Sequence, residues 1–526
     1  MMFVCYLLFI GLYVQVLGHP AEINEIEEEV EFDVDAFPNR VVRNRTQEEI
    51  DKEIRKDYWI NHATMTIQEK LSRKLNRNTA KNVILFLGDG MSIPTVAATR
   101  VYIGGEEKEL TFEKFPFTGL SKTYCVDHQT ADSACSATAY LGGVKANLGT
   151  IGVSAAVSKK NCTAMNDPEN HVDSIARLFQ LKGKRSGLVT NTKVTHASPA
   201  GVYAHTAYRN WESDTSVLKS GLDPTTCQDI ARQLIFGDTG KNLQVILGGG
   251  RKKFLPKEEV DEEGKRGERS DGANLIEEWK KQKERAGVRF EYVWNREQLL
   301  HVQNDTEYLL GLFSSSHMDY NLERDRDSDP SLAEMTEAAI RVLSGGDEGF
   351  FLFVEGGRID TAHHDTFAQK ALDETAEFSK AVQMALEMTD EEDTLIVVTS
   401  DHAHTMSYAG YAGRGSDIFG YAGEASDRNL YTILNYANGP GYRPLMETGQ
   451  RSVPTADEMN QVGFKWPSTY PLQSETHGAD DVGVYARGPW SHLFTGVMEE
   501  NVLPHLMAFA ACVSRELPCD SSKKEA

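Results

Sequence analysis

Short, almost wholly apolar runs recur along the chain, and each ends in a turn that carries glycine or an acid. KNVILFL runs into GDG at residues 81–90, GFFLFV into EGG at 349–357, and DTLIVV into TSDH at 393–402. Runs of this length without alternation predict strands buried on both faces of a parallel sheet. VILGGG at 245–250 is a fourth strand of the same kind. Helical periodicity separates them, as in SIARLFQLKG at 174–183 and the long stretch 365–389. The alternation predicts an α/β fold, a doubly wound and mostly parallel sheet sandwiched by helices. Residues 47–75 follow a helical period and predict an N-terminal helix packed onto the body. The charged stretch Arg251–Arg285 reads as a surface excursion ending in an amphipathic helix. Residues 410–475, rich in Gly, Tyr, Ser and Pro, predict an inserted, loop-rich crown of the kind that shapes the mouth of a site. No internal repeat is visible, so 47–519 is expected to be one elaborated domain with a polar tail at 520–526.

The ends of the chain and its cysteines bear on compartment. Residues 1–18 are apolar and end in small residues, which predicts a signal peptide closing at Gly18; the near absence of a charged leader leaves a signal anchor as the alternative. Residues 19–46 hold eight carboxylates between Glu22 and Asp35 and form either a solvated arm or a cleaved propeptide. No later run is apolar enough to span a membrane, and ELPCDSSKKEA lacks the hydrophobic tail a GPI signal requires, so a secreted, extracellular protein without a membrane anchor is expected. Of seven cysteines, Cys5 leaves with the leader. Cys512 and Cys519 flank a short loop and predict a local staple, and Cys162 and Cys227 predict a pair over a longer loop. Cys125 and Cys135 remain open: paired, buried or reactive. Sequons at Asn44, Asn161 and Asn304 agree with secretion. A net charge of −23 excludes nonspecific nucleic-acid binding. An anionic substrate then needs local cations or a buried arginine to reverse that field.

Asp89, Glu355 and Asp401 all fall at strand ends, where open α/β sheets bind their ligands. One such aspartate is ordinarily a helix cap. Three converging carboxylates repel one another and call for multivalent cations. Asp360 and His364 are four apart and share a helix face; His402 and His404 follow Asp401, and His477 sits in SETHGADDVG. Asp and His ligands without Cys suit a catalytic zinc site. Ser133, in QTADSACSATAY, stands near a helix N-terminus and is either a cap or a nucleophile for phosphate. Arg209 is either a surface residue or a bidentate phosphate clamp. His196 and Ser198 lie in a loop where small polar groups approach a metal or its waters.

The stretches FLGDGM, DSACSATAYLGGVKAN, THASPAGVYAHTAYRNW, FLFVEGGRIDTAHH, SDHAHT and ETHGADDVGVYARGP together resemble the animal alkaline phosphatases, in order, from about residue 48 to 519. The resemblance implies hydrolysis of phosphate monoesters through a phosphoserine on Ser133, with loose leaving-group specificity and an alkaline optimum. It implies one zinc on Asp360, His364 and His477, a second on Asp89, Ser133, Asp401 and His402, and a magnesium on Asp89, Ser198 and Glu355. Arg209 would grip the phosphate, His196, His363, His404 and Asp132 would flank the ligands, and the chain would be a homodimer. The chain departs from the family at Thr361, where vertebrate members usually carry histidine, and at Cys135, commonly glycine. Phe313–Ser314 replaces a Phe–Glu pair of the vertebrate calcium site, although Asp329 matches another ligand, so no calcium site is expected. Two other readings remain. A sulfatase would need a C/S-x-P-x-R context that is missing here, and related phosphodiesterases use threonine. A metal-stabilised extracellular protein that binds but no longer catalyses is the rival from another class.

Overall fold

The computed structural model describes residues 38–515. The predicted leader, most of the acidic arm, Cys519 and the polar tail lie outside the described residues. Alternate residues of Asn82–Gly88 (β1) feed two cores: Val83, Leu85 and Leu87 pack on one face, Ile84 and Phe86 on the other. That division is why the run is apolar throughout rather than alternating.

Phe117–Lys122 (β2), Arg185–Lys193 (β3), Val245–Gly249 (β4), Phe290–Val293 (β5), Tyr308–Leu312 (β6), Phe350–Gly356 (β7) and Thr394–Thr399 (β8) join β1, Val482–Arg487 and Gly496–Glu499 in a ten-stranded sheet. Its order is Gly496–Glu499, β2, Val482–Arg487, β8, β1, β7, β3, β4, β6, β5. Only Val482–Arg487 runs antiparallel to its neighbours. Helices Ile175–Leu181, Ile230–Phe236, Leu275–Ala286 and Leu503–Ala510 cover one face, and Leu332–Leu343 and Ala368–Met388 the other. β1 lies between β7 and β8, with Leu87 level with both Glu355 and Thr399. The carboxyl ends of the three acid-bearing strands are therefore side by side.

Three segments differ from the sequence expectation. Gln47–Glu53 and Lys56–Ser72 are helical, but no residue of either is buried. Ile54 is 75% exposed and Leu71 80%. Tyr58, Trp59 and Ile60 are consecutive, so the apolar positions do not form one stripe that could lie on the body. Ion pairs of Glu53 with Arg45 and Arg414 tether these helices instead. The stretch from Arg251 is not only a surface excursion, because Arg251 and Arg269 are fully buried. Arg251 pairs with Asp261 at 3.0 Å, and Arg269 holds Asp229 at 3.0 Å and Asp271 at 2.7 Å. Its closing helix is amphipathic, burying Leu275, Ile276 and Trp279. Residues 410–475 contribute to two small sheets and to a core built on Phe419, Tyr436 and Trp466 together with Tyr102 and Leu372 of the body. Trp466 Nε1 donates to Gln369 Oε1 at 2.6 Å and ties this crown to the long helix below.

Cys162 is joined to Cys227, and Cys125 to Cys135.

Candidate metal and phosphate centre

Asp89 leaves β1 through a tight GDG turn. Gly90 there has φ +67°, and a Cβ on it would stand 2.4 Å from His404 Cδ2, so only glycine fits between strand and site. Asp89, Glu355 and Asp401 are fully buried. Burial, then repulsion from Asp401, Asp360 and Glu355, pushes the Asp89 carboxyl well up. Burial likewise pushes Glu355 up to about 7 and Asp401 up to about 6. Asp89 Oδ1 and Glu355 Oε1 lack a hydrogen-bond partner among the described residues. Buried carboxylate oxygens left without donors suit a multivalent cation.

The imidazoles add to that case. His364 Nδ1 lies 2.6 Å from the Glu475 carbonyl and His477 Nδ1 lies 2.7 Å from the Ala131 carbonyl. A carbonyl only accepts, so each Nδ1 donates and each Nε2 presents a lone pair. Those two Nε2 atoms are 3.1 Å apart, and each is 3.3 Å from Asp360 Oδ1. Two lone pairs and a carboxylate at such range need a cation between them. Burial works against ionised Asp360, yet His364, His404 and His477 hold its carboxyl well below the usual range. Asp360, His364 and His477 are thus brought together.

The second predicted set also converges. His402 Nε2 is 3.3 Å from Ser133 Oγ, 3.2 Å from Asp401 Oδ2 and 3.5 Å from Asp89 Oδ1. Beyond Asp89 lies the third set: Ser198 Oγ donates to Asp89 Oδ2 at 3.3 Å, and Asp89, His196 and Glu355 offer ligand atoms within 4.8 Å of one another. Zinc-like N/O donors therefore adjoin an oxygen-rich group, and the donor sets fit the metals that the resemblance implies.

Ser133 is the first residue of the helix Ser133–Gly142, and Asp132 is its cap, accepting from the Cys135 amide at 3.2 Å. Asp132 accepts from Arg209 Nη1 at 3.0 Å through its other oxygen. Arg209 Nη2 meets His196 Nε2 at 3.2 Å. One carboxylate thus caps the serine's helix and aims the guanidinium across it. Cys125 and Cys135 approach Asp132, but their sulfurs are bonded to each other and offer no metal ligand.

The flanking residues divide. His404 Nε2 touches Asp360 at 2.9 Å and Nδ1 touches Glu475 at 2.5 Å; against burial, these acids push its imidazole up to about 10. His363 turns elsewhere, to Thr95 at 3.0 Å and the Tyr436 hydroxyl at 2.9 Å, and joins none of the donor groups. Thr361 accepts from Arg358 at 3.1 Å, and that guanidinium lies over the Tyr320 ring at 3.7 Å. Phe313 is a core residue, the Ser314 carbonyl accepts from Gly250 and Arg251, and Asp329 accepts from the Asp325 amide at 3.2 Å. Three functional neighbours escaped the sequence reading. Glu475, two residues before His477, is buried and holds both His404 and the Thr405 amide. Thr190 and Thr192, near the end of β3, both donate to Glu355 Oε2. The largely polar sequence of β3, RSGLVTNTK, hides the strand from a search for apolar runs, so neither threonine carried a signal.

A pH test follows for the metal-stripped chain. Above about pH 7.5 the buried histidines with lowered pKa are neutral in both folded and unfolded chains and contribute nothing. Glu355, up to about 7, Glu374, up to about 8 by burial, and His404, up to about 10, each hold a proton in the fold that the unfolded chain gives up. Their stability is therefore lost as pH rises. The melting temperature of chelated protein should fall by a few degrees between about pH 7.5 and pH 9, through Glu374 and His404, and by less in metal-loaded protein, where a cation on Asp360 would disfavour the His404 proton. Equal slopes with and without metal would contradict this charge assignment.

The alkaline phosphatase family model matches residues 80–513. The chain is 49% identical over 470 residues to the membrane-bound alkaline phosphatase of Bombyx mori, covering 87% of this chain and 85% of that one. It is 45% identical over 486 residues to the tissue-nonspecific alkaline phosphatase isozyme of Gallus gallus, covering 89% and 92%. Among solved structures, the alkaline phosphatase of Thermus thermophilus shares the fold with a TM-score of 0.59 at 23% identity, covering 84% of this chain and 93% of that one.

Proposed function

The chain belongs to the alkaline phosphatase family and hydrolyses phosphate monoesters, and on that premise we propose which of its residues carry the reaction. The family is metal-dependent, and the buried clusters described above are able to hold metal. Zinc is assigned to Asp360, His364 and His477, and a second zinc to Asp89, Asp401, His402 and Ser133, because imidazole-rich N/O donors favour it. Magnesium is assigned to Asp89, Ser198 and Glu355, an all-oxygen set. Bound there, the cations lower the pKa of a serine hydroxyl or a water and offset negative charge developing on oxygen.

The chain's own residues do the rest. Ser133 Oγ attacks phosphorus, the new O–P bond forms and the bond to the leaving alcohol breaks, giving phosphoserine. Water then attacks that phosphorus, the Ser133 Oγ–P bond breaks, inorganic phosphate leaves and the serine oxygen takes up a proton, a ping-pong course. Arg209, fixed on Asp132, binds two phosphate oxygens in both steps, and amides at the start of the Ser133 helix add partial positive charge. Nothing in this scheme reads the leaving group, so loose specificity is expected, shaped at the rim by 410–475. The observation that carries the reading is Ser133 Oγ at a helix start, 3.3 Å from His402 Nε2 beside the anchored Arg209.

Secretion as a glycosylated homodimer completes the proposal. Two disulfides and exposed Asn44, Asn161 and Asn304 support an extracellular site, and among the described residues no helix is long and apolar enough to cross a membrane. The exposed apolar residues of Lys56–Ser72, Trp59, Ile60 and Leu71 among them, are available for a second copy to cover.

The test is hydrolysis of p-nitrophenyl phosphate between about pH 7 and pH 10. Turnover should vanish on chelation and return with zinc plus magnesium but not with magnesium alone. The same preparation should sediment as a dimer. Turnover indifferent to chelation would overturn the metal assignment, and none from zinc- and magnesium-loaded protein would favour the binding-only reading.

A further inference from the structure

The loop that leads into the Ser133 helix is exposed from Val126 to Gln129 and holds few apolar contacts of its own. Its buried part is a small cluster of Cys125, Ala131, Cys135 and Ala146, with Leu148 against it. Three bonds link it to the following segment: Val126 N donates to the Ala146 carbonyl at 3.0 Å, Leu148 N to Asp127 Oδ1 at 2.9 Å, and Gly149 N to Asp132 Oδ1 at 3.0 Å. The Cys125–Cys135 disulfide closes this loop into a covalent ring across ten positions. Three separate parts of the centre are anchored in that ring. Ser133 belongs to it. Asp132 belongs to it and aims Arg209 at 3.0 Å. The Ala131 carbonyl belongs to it and sets the tautomer and direction of His477 at 2.7 Å.

We propose that the Cys125–Cys135 disulfide is a positioning element of the active centre, holding nucleophile, phosphate clamp and a zinc-binding histidine in one covalent ring, so that catalysis depends on its thiol–disulfide state. This rests on the roles given above to Ser133, Arg209 and His477. Opening the ring restores freedom to a loop that has little burial to oppose it. Misplacement is then shared by three groups at once. A trialkylphosphine accomplishes the opening in balance: phosphorus attacks one sulfur, the S–S bond breaks, water supplies the oxygen of the phosphine oxide, and both cysteines end as thiols.

The experiment uses the full chain in saturating zinc and magnesium, well below its melting temperature. Cys125→Ala/Cys135→Ala should lower kcat about tenfold and speed zinc loss to a chelator about tenfold, because orienting partners of metal ligands carry effects of that size. Acid-quenched protein should still carry phosphate on Ser133. Phosphine treatment of the wild type should reproduce the lower kcat, reverse on reoxidation, and leave the double variant unchanged. Wild-type kcat and zinc retention in the double variant overturn the proposal. If that variant does not fold, unchanged kcat in phosphine-treated wild type, with Cys125 and Cys135 shown free by alkylation and mass spectrometry, overturns it equally. Absence of phosphoserine in the wild type would instead defeat the underlying mechanism, so the two failures are distinct.

Discussion

Ser133→Ala should lower kcat for p-nitrophenyl phosphate by about 10⁴-fold or more, the scale seen when a covalent nucleophile is removed and only binding and electrostatic terms remain. The fold should persist. Asp132, not Ser133, caps the helix, and the Ser133 hydroxyl makes its only described hydrogen-bond contact with His402 Nε2 at 3.3 Å. A loss of stability therefore does not explain a loss of rate. Zinc content and phosphate affinity should change little beside the rate, since Asp89, Asp401, His402 and Arg209 stay in place. Acid quenching during turnover should trap phosphate on the wild type and none on the variant. A variant that still labels, or keeps more than about a tenth of the rate, would move the nucleophile elsewhere.

The same residue shows how much of the site was legible in the chain. In sequence, Ser133 taken alone read as a cap before it read as a nucleophile, since both roles sit at a helix start; the structure separates them by giving the cap to Asp132. Asp89, Glu355 and Asp401 were legible because parallel strands buried on both faces leave unbroken apolar runs, and polarity resumes at their carboxyl ends. Glu475 was harder. It supports His404 and Thr405 across about seventy positions of chain, and no local period reports such a contact. The packing of Gln47–Glu53 and Lys56–Ser72 failed for a related reason: periodicity detects a helix, but its burial depends on a neighbour. The crown misled in the opposite sense, because its few large side chains, Trp466 and Phe419 among them, build a core that a Gly-rich composition hides. Cysteine spacing alone left Cys125 and Cys135 unassigned; the fold brings their Cα atoms to 5.9 Å and a disulfide joins them.

Arg209→Ala should reduce kcat/KM by about 10³-fold, within the range for an arginine that stabilises a transferring phosphoryl group. The effect has two sources that kinetics can divide. Losing the guanidinium removes two donors from phosphate in the ground state and in the transition state alike, which raises KM and the inhibition constant of inorganic phosphate. It also strands Asp132, whose carboxyl, though opposed by burial, is held below its usual range first by Arg209 and then by the Gly149 and Cys135 amides. A buried carboxylate without its cation disturbs the cap on the Ser133 helix, and that part should fall on kcat. Arg209→Lys keeps the charge but has no planar fork to hold Asp132 and phosphate together, so it should recover Asp132's partner more than phosphate binding. The expected pattern is kcat partly restored in the lysine variant while the phosphate inhibition constant stays high. Full recovery of both would mean that charge alone matters at this position, and that the pairing of Arg209 with Asp132 at 3.0 Å has no part in catalysis.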